Sequence, residues 1–136
     1  MNSKADQDGL SPNASSPTVL VVDDEQDILP EYQEFFDFAG FNTLTCGDPV
    51  EAFNQVLNIP DIAVVVTDLR MAQLDGGSMI RDLRAALPAD RHVDFIILTG
   101  DASTQLMAEI SDVPVFLKPA DTDALVAAIR AALVRP

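Results

Sequence analysis

One cysteine and one histidine in 136 residues remove several chemistries at once. Cys46 has no partner in the chain, so no internal disulfide forms and no thiolate cluster holds a metal. His92 alone cannot build a histidine-rich metal centre. Basic residues are scarce as well: 8 Lys and Arg stand against 22 Asp and Glu, a formal net charge of −14. A chain so negative repels nucleic-acid phosphates and anionic lipid, and direct binding to either is not expected. No apolar run approaches the length of a membrane span, and the polar N-terminus has no apolar signal region. The cytoplasm is the expected location.

What the chain does have is apolar residues, 48% of the total, enough for one domain with a real core. Residues 1–17 are rich in Ser, Asn, Asp and Pro and read as a disordered leader, leaving 18–134 as the domain. From Thr18 onward, short apolar runs alternate with helical periodicity. The runs are Val19–Val22, Ile62–Val66, Phe95–Leu98 and Val113–Leu117. Each is continuously apolar and largely β-branched or aromatic, as strands buried on both faces of a parallel sheet should be. Residues 41–45, FNTLT, alternate instead and suit a half-exposed edge.

Between the runs lie helices. Ile28, Tyr32, Phe35, Phe36 and Ala39 recur at helical spacing and stop at Gly40, with Pro30 in the first turn where its missing N–H costs little. Asp48-Pro49-Val50-Glu51 starts a second helix, with Val50, Phe53, Val56 and Leu57 as its apolar face. Met79, Ile80, Leu83 and Leu87 mark a third, ended by Pro88. A short helix is expected over 102–110. Asp121 caps a last one that carries Leu125, Ala128, Ile129, Ala132 and Leu133 on one face. Five β-α units in succession predict an α/β, flavodoxin-like, doubly wound (βα)5 fold. Its five-stranded parallel sheet runs in the order 2-1-3-4-5, which puts the alternating second strand at an edge.

In such folds ligands bind at the carboxyl ends of the strands, beside the switch point between strands 1 and 3. Asp23 and Asp24 follow strand 1, and Asp68 follows strand 3. Three converging carboxylates make sense around a hard divalent cation, and all-oxygen ligation suits Mg2+. Strand 4 ends in Thr99, a hydroxyl donor, and strand 5 in Lys118, a cation. A carboxylate nucleophile, a hard metal, a hydroxyl and a lysine together suit a phosphoryl group, with Asp68 attacking phosphorus to become an acyl phosphate. The blander readings are helix capping for Asp23 and Asp24, a turn residue for Thr99 and a solvated end for Lys118. It is their shared position at strand ends that lifts them above those readings. His92 reads as exposed and inert, Cys46 as a small buried residue, and Asp101 as a loop carboxylate. Phe35, Phe36 and Phe53 read as core.

With these residues in place, the chain resembles the receiver domains of two-component response regulators over essentially all of 18–134. The matching stretches, in family order, are VLVVDDE, VVVTDLRMAQLDGG, IILTG and FLKP. The resemblance implies that Asp68 is the phosphoacceptor and that Asp23 and Asp24 are the acidic metal pair. It implies that the backbone carbonyl of Arg70 completes the metal shell, that Thr99 is the switch hydroxyl and that Lys118 is the family's lysine. Its further implications are Mg2+ as cofactor and a sensor histidine kinase or phosphotransfer protein as donor. Downstream lies a partner whose identity is open, with at most a weak homodimer. No enzymatic turnover beyond self-phosphorylation and slow dephosphorylation is expected. The rival reading is a Mg2+-dependent phosphatase of the aspartyl-phosphate type. Such enzymes carry a second Asp two residues after the nucleophile, where this chain has Arg70. A stand-alone receiver and a piece of a longer regulator or hybrid kinase both fit the sequence.

Three departures from the family pattern stand out. Met71-Ala72 replaces the usual Met-Pro, and the stretch from Thr99 to Lys118 is a few residues short. Val115 occupies the place of the usual switch aromatic, while Phe116, one residue later, should point to the other face of the strand.

Overall fold

Alternation of side chains across pleated strands decides which residues meet which helices. The computed structural model of the chain describes residues 17–100, 110–118 and 122–134. Among the described residues there are five strands: β1 (Thr18–Val22), β2 (Asn42–Cys46), β3 (Ile62–Thr67), β4 (Asp94–Thr99) and β5 (Val115–Leu117). All pair in parallel, in the order β2-β1-β3-β4-β5, as the sequence predicts. Edge strand β2 shows the expected mixed exposure, with Leu44 facing solvent and Thr43 and Cys46 buried. The last strand is shorter than its apolar run, since Val113 and Pro114 precede it; proline at 114 has no N–H to give the ladder.

Helices α1 (Leu29–Phe38), α2 (Pro49–Asn58), α3 (Gly76–Ala86) and α4 (Thr122–Leu133) cover the sheet. On one face Leu20, Val22, Val65 and Ile97 pack with Ala52, Val56, Met79, Ile80 and Leu83 of α2 and α3. On the other, Val19, Val21, Val64, Val66, Ile96 and Leu98 pack with Phe36, Leu125 and Ile129 of α1 and α4. Odd and even positions of each strand thus serve different layers, which is why the runs had to be apolar throughout.

The helix ends follow from local chemistry. Gly40, at φ +94°, ends α1 in a left-handed residue. Its N–H donates to Asp37 O, and the next N–H, that of Phe41, donates to Phe36 O at 3.0 Å, so two otherwise orphaned carbonyls are satisfied. Asp48 caps α2 by accepting from the amides of Val50 and Glu51. Val50 itself departs from expectation: it is half exposed, whereas Ala52 is fully buried. The helix starts at Pro49, and its buried positions 49, 52 and 56 leave residue 50 turned away from the sheet.

Between β1 and β3 the register slips by one residue: Thr18 pairs with Ile62, but Val19 pairs with Val64. From there Leu20, Val21 and Val22 pair in step with Val65, Val66 and Thr67. Residues 1–16, most of the helix expected over 102–110, Asp101, and Asp121 with its proposed cap lie outside the described residues. No helix among the described residues is long and apolar enough to cross a membrane.

Candidate functional site

The sheet's own hydrogen bonds carry on one residue past each strand and so fix the residues that follow. The amide of Asp23 donates to Cys46 O at 3.2 Å, that of Asp68 to Val22 O at 3.0 Å, and that of Lys118 to Thr99 O at 2.8 Å. Asp23, Asp68 and Lys118 therefore stand at one end of the sheet on backbone that cannot drift. Thr99 closes β4 at the same end and is buried.

Lys118 links the two aspartates. Its Nζ donates to Asp23 Oδ2 at 2.9 Å and to Asp68 Oδ2 at 3.3 Å. The Asp23 side chain is only 2% exposed and that of Lys118 24%. Burial alone would push the ammonium toward its neutral form. The hydrogen bond and charge of Asp23, then the charge of Asp68, outweigh that and hold the Lys118 pKa above the usual lysine value. Each carboxylate has a second anchor in the backbone: Asp23 Oδ1 accepts from the Glu25 amide at 3.0 Å, and Asp68 Oδ1 from the Leu69 amide at 2.7 Å.

Asp24 behaves differently. Its Oδ2 accepts from the Ala72 amide at 2.9 Å, tying the loop after Asp68 to the loop after β1. Among the described residues no group of three or more carboxylate, histidine or cysteine side chains is gathered tightly enough to hold a metal. The expected meeting of three carboxylates is thus realised as a pair bridged by lysine, with the third turned to a backbone amide. Arg70 is exposed, beside Met71 and Ala72 on the same loop. The donor chemistry still suits a hard cation. All the groups are oxygens, and one ammonium leaves the three nearby carboxylates with an excess of negative charge.

Comparison with known proteins fits this arrangement. The sequence pattern of the response regulator receiver domain matches residues 19–130. The chain belongs to that family. The transcriptional regulatory protein PrrA of Mycobacterium tuberculosis is 35% identical to this receiver domain over 95 residues, 69% of the chain and 39% of PrrA. The response regulator SaeR of Staphylococcus aureus is 32% identical over 82 residues, 60% of the chain and 34% of SaeR. The receiver chain therefore spans about two fifths or less of the curated relatives it matches. Among solved structures, a response regulator receiver protein from Pseudomonas putida superposes with a TM-score of 0.77 at 26% identity, covering 87% of this chain and 98% of that one. A receiver domain protein from Clostridium thermocellum gives 0.73 at 30% identity, covering 85% and 93%.

One residue that supports this receiver's site was not singled out as such in the sequence. Gly76, the first residue of α3, lies directly against Asp68: a Cβ there would run into the backbone oxygen of Asp68, and its amide donates to Leu69 O at 2.7 Å. The Asp75-Gly76 turn was legible, but the contact beneath the aspartate was not. Arg91 donates to the carbonyls of Val56, Ile59 and Ile62, tying the end of α2 to the start of β3. In β5, Val115 packs with the α2–α3 layer and Phe116 with the α1–α4 layer, so the ring does lie on the opposite face. His92 is exposed and contacts Asp94, while Cys46 is buried beside Asp23, whose amide donates to its carbonyl.

Proposed function

We propose that the chain is a phosphoacceptor, taking a phosphoryl group onto Asp68 from the phosphohistidine of a sensor kinase or phosphotransfer protein. The observation that carries this reading is the Lys118 ammonium bridging Asp68 and the buried Asp23. An Asp68 oxygen attacks phosphorus, the N–P bond breaks with its electrons returning to the imidazole, and an acyl phosphate forms. Lys118 neutralises charge on the incoming phosphoryl oxygens, and the Thr99 hydroxyl is the nearby donor for another of them. Asp23, Asp24, Asp68 and the Arg70 carbonyl are the groups that would hold Mg2+. When bound, Mg2+ supplies further neutralisation of the phosphoryl charge.

Phosphorylation then shifts the domain's conformational balance toward a form a protein partner recognises. With Val115 in place of a switch ring, the signal rests on the loop 69–77 more than on β5. The test is intact-mass analysis with acetyl phosphate and MgCl2. One phosphoryl group should be added to wild-type protein and none after chelation of the metal or in Asp68→Asn, whose amide is a poor nucleophile. Undiminished phosphorylation of Asp68→Asn would overturn the assignment.

A further inference from the structure

Lys118 holds Asp23 and Asp68, whereas Asp24 is held by a backbone amide 48 residues away. Its Oδ2 accepts the Ala72 N–H at 2.9 Å. A carboxylate on a backbone donor makes a charge-assisted bond, stronger than one between neutral groups. In this position Asp24 does not gather with Asp23 and Asp68 into a group that could grip a cation. We propose that Ala72 is a further determinant of the metal seat: its amide competes with the cation for Asp24, so filling the seat releases the loop after Asp68. The proposal rests on the reading of Asp68 as a phosphoacceptor served by Mg2+.

The exchange follows from what each partner of Asp24 demands. Ligands of Mg2+ must stand in near-ideal octahedral geometry, with oxygens about 2.0–2.1 Å from the ion. The Asp24 carboxylate must therefore turn toward Asp23 and Asp68, and turning it breaks the bond to Ala72. Asp23 has no such freedom, since it is 2% exposed and anchored through both oxygens, by the Glu25 amide and by Lys118. Asp24 is only half-buried and can move. The amide left behind is not stranded, because Ala72 is exposed and water accepts its N–H. Residues 70–75 belong to no helix or strand, and the Gly76 amide donating to Leu69 O closes that stretch at its base. Losing the tie at Ala72 thus loosens the middle of the loop while Asp68 and α3 keep their places. The residue at position 72 matters for the same reason: any residue but proline brings an N–H that competes.

Ala72→Pro removes this N–H and touches no side chain of the seat. Titrated calorimetrically with MgCl2 and no phosphoryl donor, it should reach half-saturation at about one fifth of the wild-type Mg2+ concentration, the effect of one net hydrogen bond taken from the competing state. In 15N-labelled wild-type protein the Ala72 amide proton should move upfield as Mg2+ is added, a carboxylate acceptor having been exchanged for water. That second reading needs no variant to fold. A proline variant that binds Mg2+ no more tightly than wild type overturns the proposal and leaves the phosphoacceptor reading intact. So does a wild-type Ala72 proton that stays in place while the Asp23 and Asp68 amides respond to MgCl2, because one carboxylate would then serve both partners at once. Wild-type protein that binds no Mg2+ overturns the underlying reading of the seat, and the proposal with it.

Discussion

Lys118→Met removes the positive charge between two carboxylates while keeping most of the side chain's bulk. Asp23, 2% exposed, is then left with a buried charge and no counter-ion. Breaking a buried ion pair from one side typically costs about 3–5 kcal/mol. Here water moderates the loss, since the Lys118 side chain is 24% exposed and that of Asp68 13%. The expected cost is about 2 kcal/mol, or a fall in melting temperature of roughly 6–8 °C for a domain of this size. The assay is thermal unfolding in a metal chelator, so that cation binding does not restore the missing charge. The double variant Asp23→Asn/Lys118→Met should recover most of the loss, because a neutral pair carries no unpaired charge. The pH dependence follows from the raised Lys118 pKa. Both folded and unfolded lysine are charged below about pH 10, so the bridge contributes fully there; its contribution shrinks as pH rises from the unfolded pKa toward the folded one. The gap between wild type and variant should therefore be flat from about pH 7 to pH 9 and narrow in stronger base. A single variant that melts like wild type, or a double variant no better than the single, would refute the reasoning.

Gly76→Ala should cost about 2 kcal/mol in urea unfolding and slow phosphorylation of the domain, because the added methyl displaces the backbone that carries Asp68. Wild-type stability together with a wild-type rate would show that the contact is unimportant. Hydrogen exchange with and without beryllofluoride, a phosphoryl mimic, should change protection mainly at residues 69–77 and little at 113–117. A dominant change at 113–117 would mean that β5 transmits the signal without a ring at Val115.

The sheet was legible because parallel strands buried on both faces must be apolar throughout, as Ile62–Val66 is, and because the alternation of 41–45 marks an edge. Asp23, Asp68, Thr99 and Lys118 were legible for a related reason: they are the polar residues that end apolar runs, and parallel strands bring those ends together. Helix phase was harder to read. Val50 has the right chemistry for the core but falls outside the buried stripe once the helix begins at Pro49. The bond from Asp24 to the Ala72 amide and the three carbonyls held by Arg91 join residues 29 to 48 apart. Nothing in local periodicity encodes such meetings; they depend on how far each helix is rotated against the sheet.

The one-residue slip between β1 and β3 also decides which changes of chain length the site can survive. Had the pairing run on unbroken from Thr18 and Ile62, Val22 would face Val66 and Asp23 would face Thr67. Asp68 would then lie one residue farther along, about 3.3 Å away and on the other side of the pleat, out of step with its partner carboxylate. Ala63 takes up that residue near the base of the strand, far from the chemistry. Losing a residue at that point would straighten the ladder and leave the pairing from Val64 to Thr67 as it is. Losing one between Val64 and Asp68 would turn Asp68 away from Lys118. Insertions and deletions are therefore tolerated unequally along a single strand, freely at its foot and not at its head.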